Sequence, residues 1–172
     1  MRMNRPFELL TFPHKKIRAQ IIKKYLEDTD YIGVVCFSCG NAARELKNAG
    51  LNVLEISVNG DLSPLKWFSQ KETNSIFTNR FNATAGELPF EVMNLLARAY
   101  RKHLGDLGDK NIYVPTGSGE TIVALKMAYP EKGFIAVYNL NDATAWNANA
   151  PYNAMVRAIT EEIIFADEEN SQ

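Results

Sequence analysis

The sequence is poor in the residues that anchor several common chemistries. It holds only two cysteines, Cys36 and Cys39, in 172 residues. That is too few for a disulfide-stapled scaffold, and the expected compartment is the reducing cytoplasm. His14 and His103 are the only histidines, so the ligands of a structural zinc site are lacking and no metal is expected. Neither charge dominates: Lys+Arg 19 against Asp+Glu 20 gives a formal net charge of -1. A surface built to neutralise nucleic-acid phosphates would carry a clear positive excess. No apolar run approaches the roughly 18–20 residues that cross a bilayer. The opening segment MRMNRPFELLTFPHKK has no continuous apolar stretch of the kind a secretory leader needs. Nucleic acid and membrane are therefore not indicated as partners. Internal repeats and low-complexity tracts are absent too. What remains, 46% hydrophobic and 23% charged, describes a globular chain with enough apolar mass for a core. Its length fits one compact domain over residues 1–172, with sub-lobes at 1–70 and 71–172.

Short β-like runs alternate with amphipathic segments. Ile17, Ile21, Ile22 and Tyr25 recur at helical spacing among lysines. Residues 31–37 form an apolar run of strand length, residues 41–48 a helix closed by Gly50, and residues 51–58 the next strand. A short helix is expected over 63–68 and a weak strand over 74–79. Beyond Pro89, Met93, Leu96, Ala97, Tyr100 and Leu104 line one helical stripe. Strands at 111–115, 133–138 and 162–166 and a helix at 119–129 complete the pattern. Such alternation predicts an α/β fold with three layers, a mainly parallel sheet with helices on both faces. Ligands of these sheets sit beyond the carboxyl ends of the strands. The turns after Phe37 and Pro115 are thus the places for chemistry.

After Pro115 comes Thr116-Gly-Ser-Gly-Glu-Thr121. Glycines let the backbone approach an anion, Ser118 and Thr121 bring hydroxyls, and a helix start brings N–H groups. The same residues could form only a tight turn with a helix cap. The segment also resembles the first motif of superfamily-2 helicases, which has lysine where Glu120 stands. Without that lysine the terminal phosphates lose their cation, and no DExD-type metal motif follows. The NTPase reading fails on both counts.

After Phe37, the set Ser38, Cys39, Gly40 and Asn41 gathers donors at a helix start. Cys36 and Cys39 also form a C-x-x-C, which resembles the thiol motif of glutaredoxins and, less closely, a rhodanese loop. Cys36 is expected inside the strand, however, where a thiol nucleophile would be buried.

Three segments taken in order resemble the fold-type II pyridoxal-phosphate enzymes, the tryptophan synthase β-like superfamily. Lys16-Ile-Arg18 is similar to the K-x-R segment that carries the Schiff-base lysine. Ser38-Cys-Gly-Asn41 is similar to the S-x-G-N loop that grips substrate carboxylate and the cofactor ring oxygen. Gly117-Ser-Gly-Glu-Thr121 is similar to the G-x-G-G-T loop that cradles the cofactor phosphate. The likeness runs over roughly residues 10 to 140 and includes the stretch 81–86 before the phosphate-loop strand. It departs from the family in length, about half the usual, and at Glu120, where the family has glycine.

The resemblance implies pyridoxal 5'-phosphate as cofactor, Lys16 as the catalytic amine, and Asn41, Gly117, Ser118, Gly119 and Thr121 as its binding residues. Ser38, Cys39 and Gly40 would hold the carboxylate of a small amino acid undergoing β-elimination or β-replacement. Two readings from other classes compete. One is a non-catalytic binding or assembly module that kept the fold; the other is a thiol-redox protein using Cys36 and Cys39. Self-association as a homodimer is expected, with Trp67, Phe68, Trp146 and Tyr152 supplying apolar area beyond the obvious core.

Overall fold

The computed structural model describes residues 7–29, 33–37, 40–56, 81–83, 90–139 and 151–166. The chain divides into two compact units, Pro13–Leu96 and Met1–Phe12 together with Ala97–Gln172. The boundary between the two units falls at 96/97. The first twelve residues join the later unit because Leu9 forms a parallel bridge with Tyr113. There the Leu10 N–H donates to the Tyr113 carbonyl at 2.8 Å, and the Phe7 ring stacks on Tyr113 at 5.1 Å.

The first unit holds α1 (His14–Leu26), β1 (Gly33–Phe37), α2 (Gly40–Asn48), β2 (Val53–Ile56) and β3 (Phe81–Ala83). Its three strands pair in parallel in the order β2-β1-β3. Helix α1 starts where Pro13, at φ −77°, lends its carbonyl to the Ile17 N–H at 3.0 Å. Its buried face is Arg18, Ala19, Ile22 and Leu26. Of the expected stripe Ile17, Ile21, Ile22 and Tyr25, Ile22 is buried and the other three are half-buried. The long aliphatic stem lets Arg18 take an apolar position. Helix α2 buries Ala43 and Leu46, one turn apart, and packs on α1 and β2. Gly50 ends it at φ 91°. The Gly50 N–H reaches the Lys47 carbonyl and the Leu51 N–H the Leu46 carbonyl, at 2.9 and 3.2 Å. Those two bonds are the paired exits of a Schellman motif, which needs a left-handed residue at that position.

Helix α3 (Phe90–Leu104) buries Val92, Met93, Leu96, Ala97 and Tyr100, so the expected stripe holds through Tyr100, and the unit boundary falls inside the helix. The second unit continues with β4 (Ile112–Thr116), α4 (Glu120–Ala128), β5 (Phe134–Asn139), α5 (Pro151–Ile159) and β6 (Glu162–Ala166). Strands β4-β5-β6 pair in parallel in that order. Central β5 is buried from Phe134 through Tyr138. A continuous apolar run is what a strand covered on both faces requires. Helix α4 buries Ile122, Val123, Ala124 and Leu125 in succession, being covered by β4, β5 and α5. Where α4 ends, the Arg101 guanidinium donates to the Ala128 carbonyl at 2.6 Å and lies 4.8 Å from the Tyr129 ring centroid.

The fold is α/β with parallel strands, as the alternation predicts, and the described strands form two three-stranded parallel sheets. The expected helix at 63–68, the weak strand at 74–79, Trp67, Phe68 and Trp146 lie outside the described residues. Tyr152 is described, and it corrects one expectation. It is 4% exposed, so it is core and offers no area for self-association. Among the described residues, no helix is long and apolar enough to cross a membrane.

Candidate functional site

In a parallel sheet every strand feeds its carboxyl end into a helix N-terminus, which concentrates unsatisfied N–H groups at one edge. Each unit has such a junction. In the first unit β1 ends at Phe37 and α2 begins at Gly40. Asn41 lies in the first turn of α2 and is half-buried, while Ser38 and Cys39 fall outside the described residues. Lys16 is exposed on α1, which packs against α2. Cys36 is the penultimate residue of β1, paired with Glu55 of β2. It therefore sits within the ladder and not at a helix start, where a dipole lowers a thiol pKa. Among the described residues no group of three or more metal-ligating side chains occurs.

In the second unit β4 ends at Thr116 and α4 opens at Glu120, so Gly117, Ser118 and Gly119 form the connecting turn. Gly119 is the N-cap residue, with φ 86° and ψ −6°. Its carbonyl accepts the first helical bond, from the Val123 N–H at 3.1 Å. A left-handed residue here swings the chain sharply from strand to helix, a conformation glycine adopts without steric cost. Thr116 is buried, and its hydroxyl donates to the Val114 carbonyl at 2.9 Å, closing off the strand end.

The two sides of this turn differ. On one side lies the first turn of α5. A Cβ built on Gly119 would stand 2.8 Å from both Asn153 Oδ1 and the Tyr152 carbonyl carbon, and 2.9 Å from the Asn153 nitrogen. Asn153 Oδ1 in turn accepts the Tyr138 hydroxyl at 3.1 Å, and both residues are buried. The Tyr138 ring stacks on Phe165 of β6 with centroids 5.8 Å apart. Glu120 is 3% exposed and engaged within the fold. Burial pushes the Tyr152 phenol up to about 12, and the negative charge of Glu120 adds to that rise. Burial also pushes the Tyr138 phenol up to about 12, against a smaller opposing pull from Arg157. On the other side, Gly117, Ser118 and Thr121 keep partial exposure.

Gly117, two hydroxyls and a helix start therefore remain available to an anion, although Glu120 adds a nearby carboxylate. The donor set fits a phosphate. Sequence reasoning placed the turn and its residues correctly in chain order. It missed α5, whose Tyr152 and Asn153 make the close approach to Gly119. The signal was present: Pro151 suits a first helical position, and Tyr152, Met155, Val156 and Ile159 follow helical spacing.

No family model matches the chain, and no curated protein matches it. Solved structures do. The chain is similar to the processed form of threonine deaminase isoform 2 from Solanum lycopersicum, with TM-score 0.54 and 13% identity over 90% of this chain and 60% of that one. It is also similar to a pyridoxal 5'-phosphate-dependent aspartate racemase, with TM-score 0.57 and 16% identity over 91% of this chain and 65% of that one. The chain thus spans less than two thirds of either. At these identities the likenesses show a shared fold.

Proposed function

We propose that this chain is a reduced relative of the fold-type II enzymes that binds pyridoxal 5'-phosphate and acts on a small amino acid by β-elimination or β-replacement. The observation that carries the reading is the glycine turn. Thr116-Gly-Ser-Gly-Glu-Thr121 occupies the carboxyl end of a parallel strand and opens a helix, in a chain whose fold is similar to that of a pyridoxal 5'-phosphate-dependent aspartate racemase.

Each residue then has a role set by its chemistry. The amides of Gly117, Ser118 and Gly119 and the hydroxyls of Ser118 and Thr121 hold the phosphate. Ser38, Cys39, Gly40 and Asn41 would receive the substrate carboxylate, and Asn41 would help hold the cofactor. The Lys16 amine would hold the cofactor and would take the proton from the substrate α-carbon. The cofactor, when bound, supplies an electron sink for the carbanion left behind.

The experiment is to add pyridoxal phosphate to the purified chain, reduce with borohydride, and map the modified lysine by peptide mass spectrometry. The expected result is an added mass on Lys16 and a visible absorption band that Lys16→Ala abolishes. Label spread evenly over Lys15, Lys23 and Lys24, or a band that survives Lys16→Ala, would overturn the reading. A colourless protein that takes no label would favour the non-catalytic module.

A further inference from the structure

We infer that Tyr138 and Asn153 are positioning residues: their buried hydrogen bond wedges the Asn153 carboxamide against Gly119 and holds the Gly117–Thr121 turn in its anion-receiving shape. The inference deepens the phosphate-binding reading of that turn and rests on it for its ligand arm. The geometry of the wedge stands by itself.

Turns built on two glycines have little intrinsic stiffness, since glycine leaves φ open on both sides. Something outside the turn must therefore fix it. Gly119 opens α4 and, having no side chain, offers no cap bond of its own. The contact that limits Gly119 comes from α5, where Asn153 Oδ1 and the backbone of Tyr152 and Asn153 fill the space a Cβ would need. That makes the Asn153 carboxamide the movable part of the wall. Its orientation is set by the Tyr138 hydroxyl, which donates to Oδ1 at 3.1 Å. Tyr138 is itself fixed, buried in central β5 with its ring against Phe165. A chain of contact thus runs from β6 through β5 and α5 to the turn. A phosphate is held by several amides at once, so small losses of alignment weaken every bond together.

The test uses the full chain and three variants, Tyr138→Phe, Asn153→Ala and the double. Tyr138→Phe removes only the hydroxyl. Amide NMR signals of Gly117, Ser118, Gly119 and Thr121 in the ligand-free protein are read first. Affinities for pyridoxal phosphate and for pyridoxal, which lacks the phosphate, are read next. In Tyr138→Phe the turn signals should shift and exchange faster while Gly50 stays unchanged. Affinity for pyridoxal phosphate should fall about three- to tenfold, the factor for one ordinary hydrogen bond, with pyridoxal binding unaltered. The double variant should be no worse than Asn153→Ala, because the two residues act in series. Unmoved turn signals, or equal losses for both ligands, would overturn the inference, equal losses marking a merely structural role. Should wild type fail to prefer pyridoxal phosphate over pyridoxal, the phosphate reading falls, and the NMR signals still decide the wedge.

Discussion

Replacing Gly119 by alanine perturbs the turn in two separable ways. An L side chain at φ 86° enters the left-handed region, at a cost of about 1–2 kcal/mol. The added methyl also meets three atoms at 2.8–2.9 Å, two of them main-chain atoms of α5. Carbon contacts are comfortable near ~3.5–4.0 Å, and backbone cannot rotate aside as a side chain can. Forcing it apart costs about 1–3 kcal/mol on the overpacking scale. Alanine recovers about 0.4–1 kcal/mol by narrowing the unfolded ensemble. The net loss is therefore about 2–4 kcal/mol. Gly105→Ala supplies the control within the same unit, since Gly105 has φ 69° but nothing within 4 Å of a built Cβ. It should lose only the conformational part, about 1 kcal/mol after the same entropic offset. Urea unfolding followed by circular dichroism reads both. Gly119→Ala should unfold at a midpoint lower than Gly105→Ala by about 1 M, at an unchanged slope. Equal midpoints for the two variants would refute the close approach of α5 to the turn.

Raising the pH should weaken the second unit in a defined window. Tyr138 and Tyr152 have folded pKa values of about 12 against the ordinary 10.0. The folded state thus holds these protons more tightly, and stability is full below about pH 10 and lost as pH climbs toward 12. Stability measured across that range should fall less steeply in Tyr152→Phe, and an identical slope would count against its burial. Glu120→Gln keeps the shape of the side chain and removes its charge beside the turn. Binding of inorganic phosphate or pyridoxal phosphate, followed by titration calorimetry, should tighten about ten- to a hundredfold if the charge acts through a medium of intermediate dielectric. Unchanged affinity would mean that the carboxylate does not reach the anion.

Strand β5 was legible because burial on both faces leaves no alternation to misread. Phe-Ile-Ala-Val-Tyr at the centre of β5 can hardly serve any other purpose in a chain of this composition. Helix α2 was legible from its end, where Gly50 takes the left-handed exit. By contrast, β3 is three residues long, Phe81–Ala83, too short for any period to show. The buried face of α1 was misjudged by one position because a hydropathy pattern counts Arg18 as polar, whereas the fold buries its stem. The glycine turn could be read as a turn, but the reason for Gly119 could not. Asn153 and Tyr152 stand more than thirty positions downstream, and no local pattern announces that a second helix presses against the first.

That contact changes what each glycine of the turn is for. A phosphate-binding loop needs glycine where the ligand approaches the backbone, and a packed turn needs it where the protein does. In this chain Gly119 meets the second need, since α5 fills its Cβ position. Gly117 stays partly exposed, where on the proposed reading a ligand would approach. Glu120 follows the same division. At the first turn of α4 its carboxylate gains from the helix dipole, by about 0.3–1 kcal/mol, and it is buried beside Tyr152, not displayed with Ser118 and Thr121. The phenol next to it stays protonated, so no second negative charge builds up there. A phosphate at the open side must nevertheless share that dipole with a carboxylate already in place. On the proposed reading, an anion at this turn would meet the donors of the open side together with the charge of Glu120.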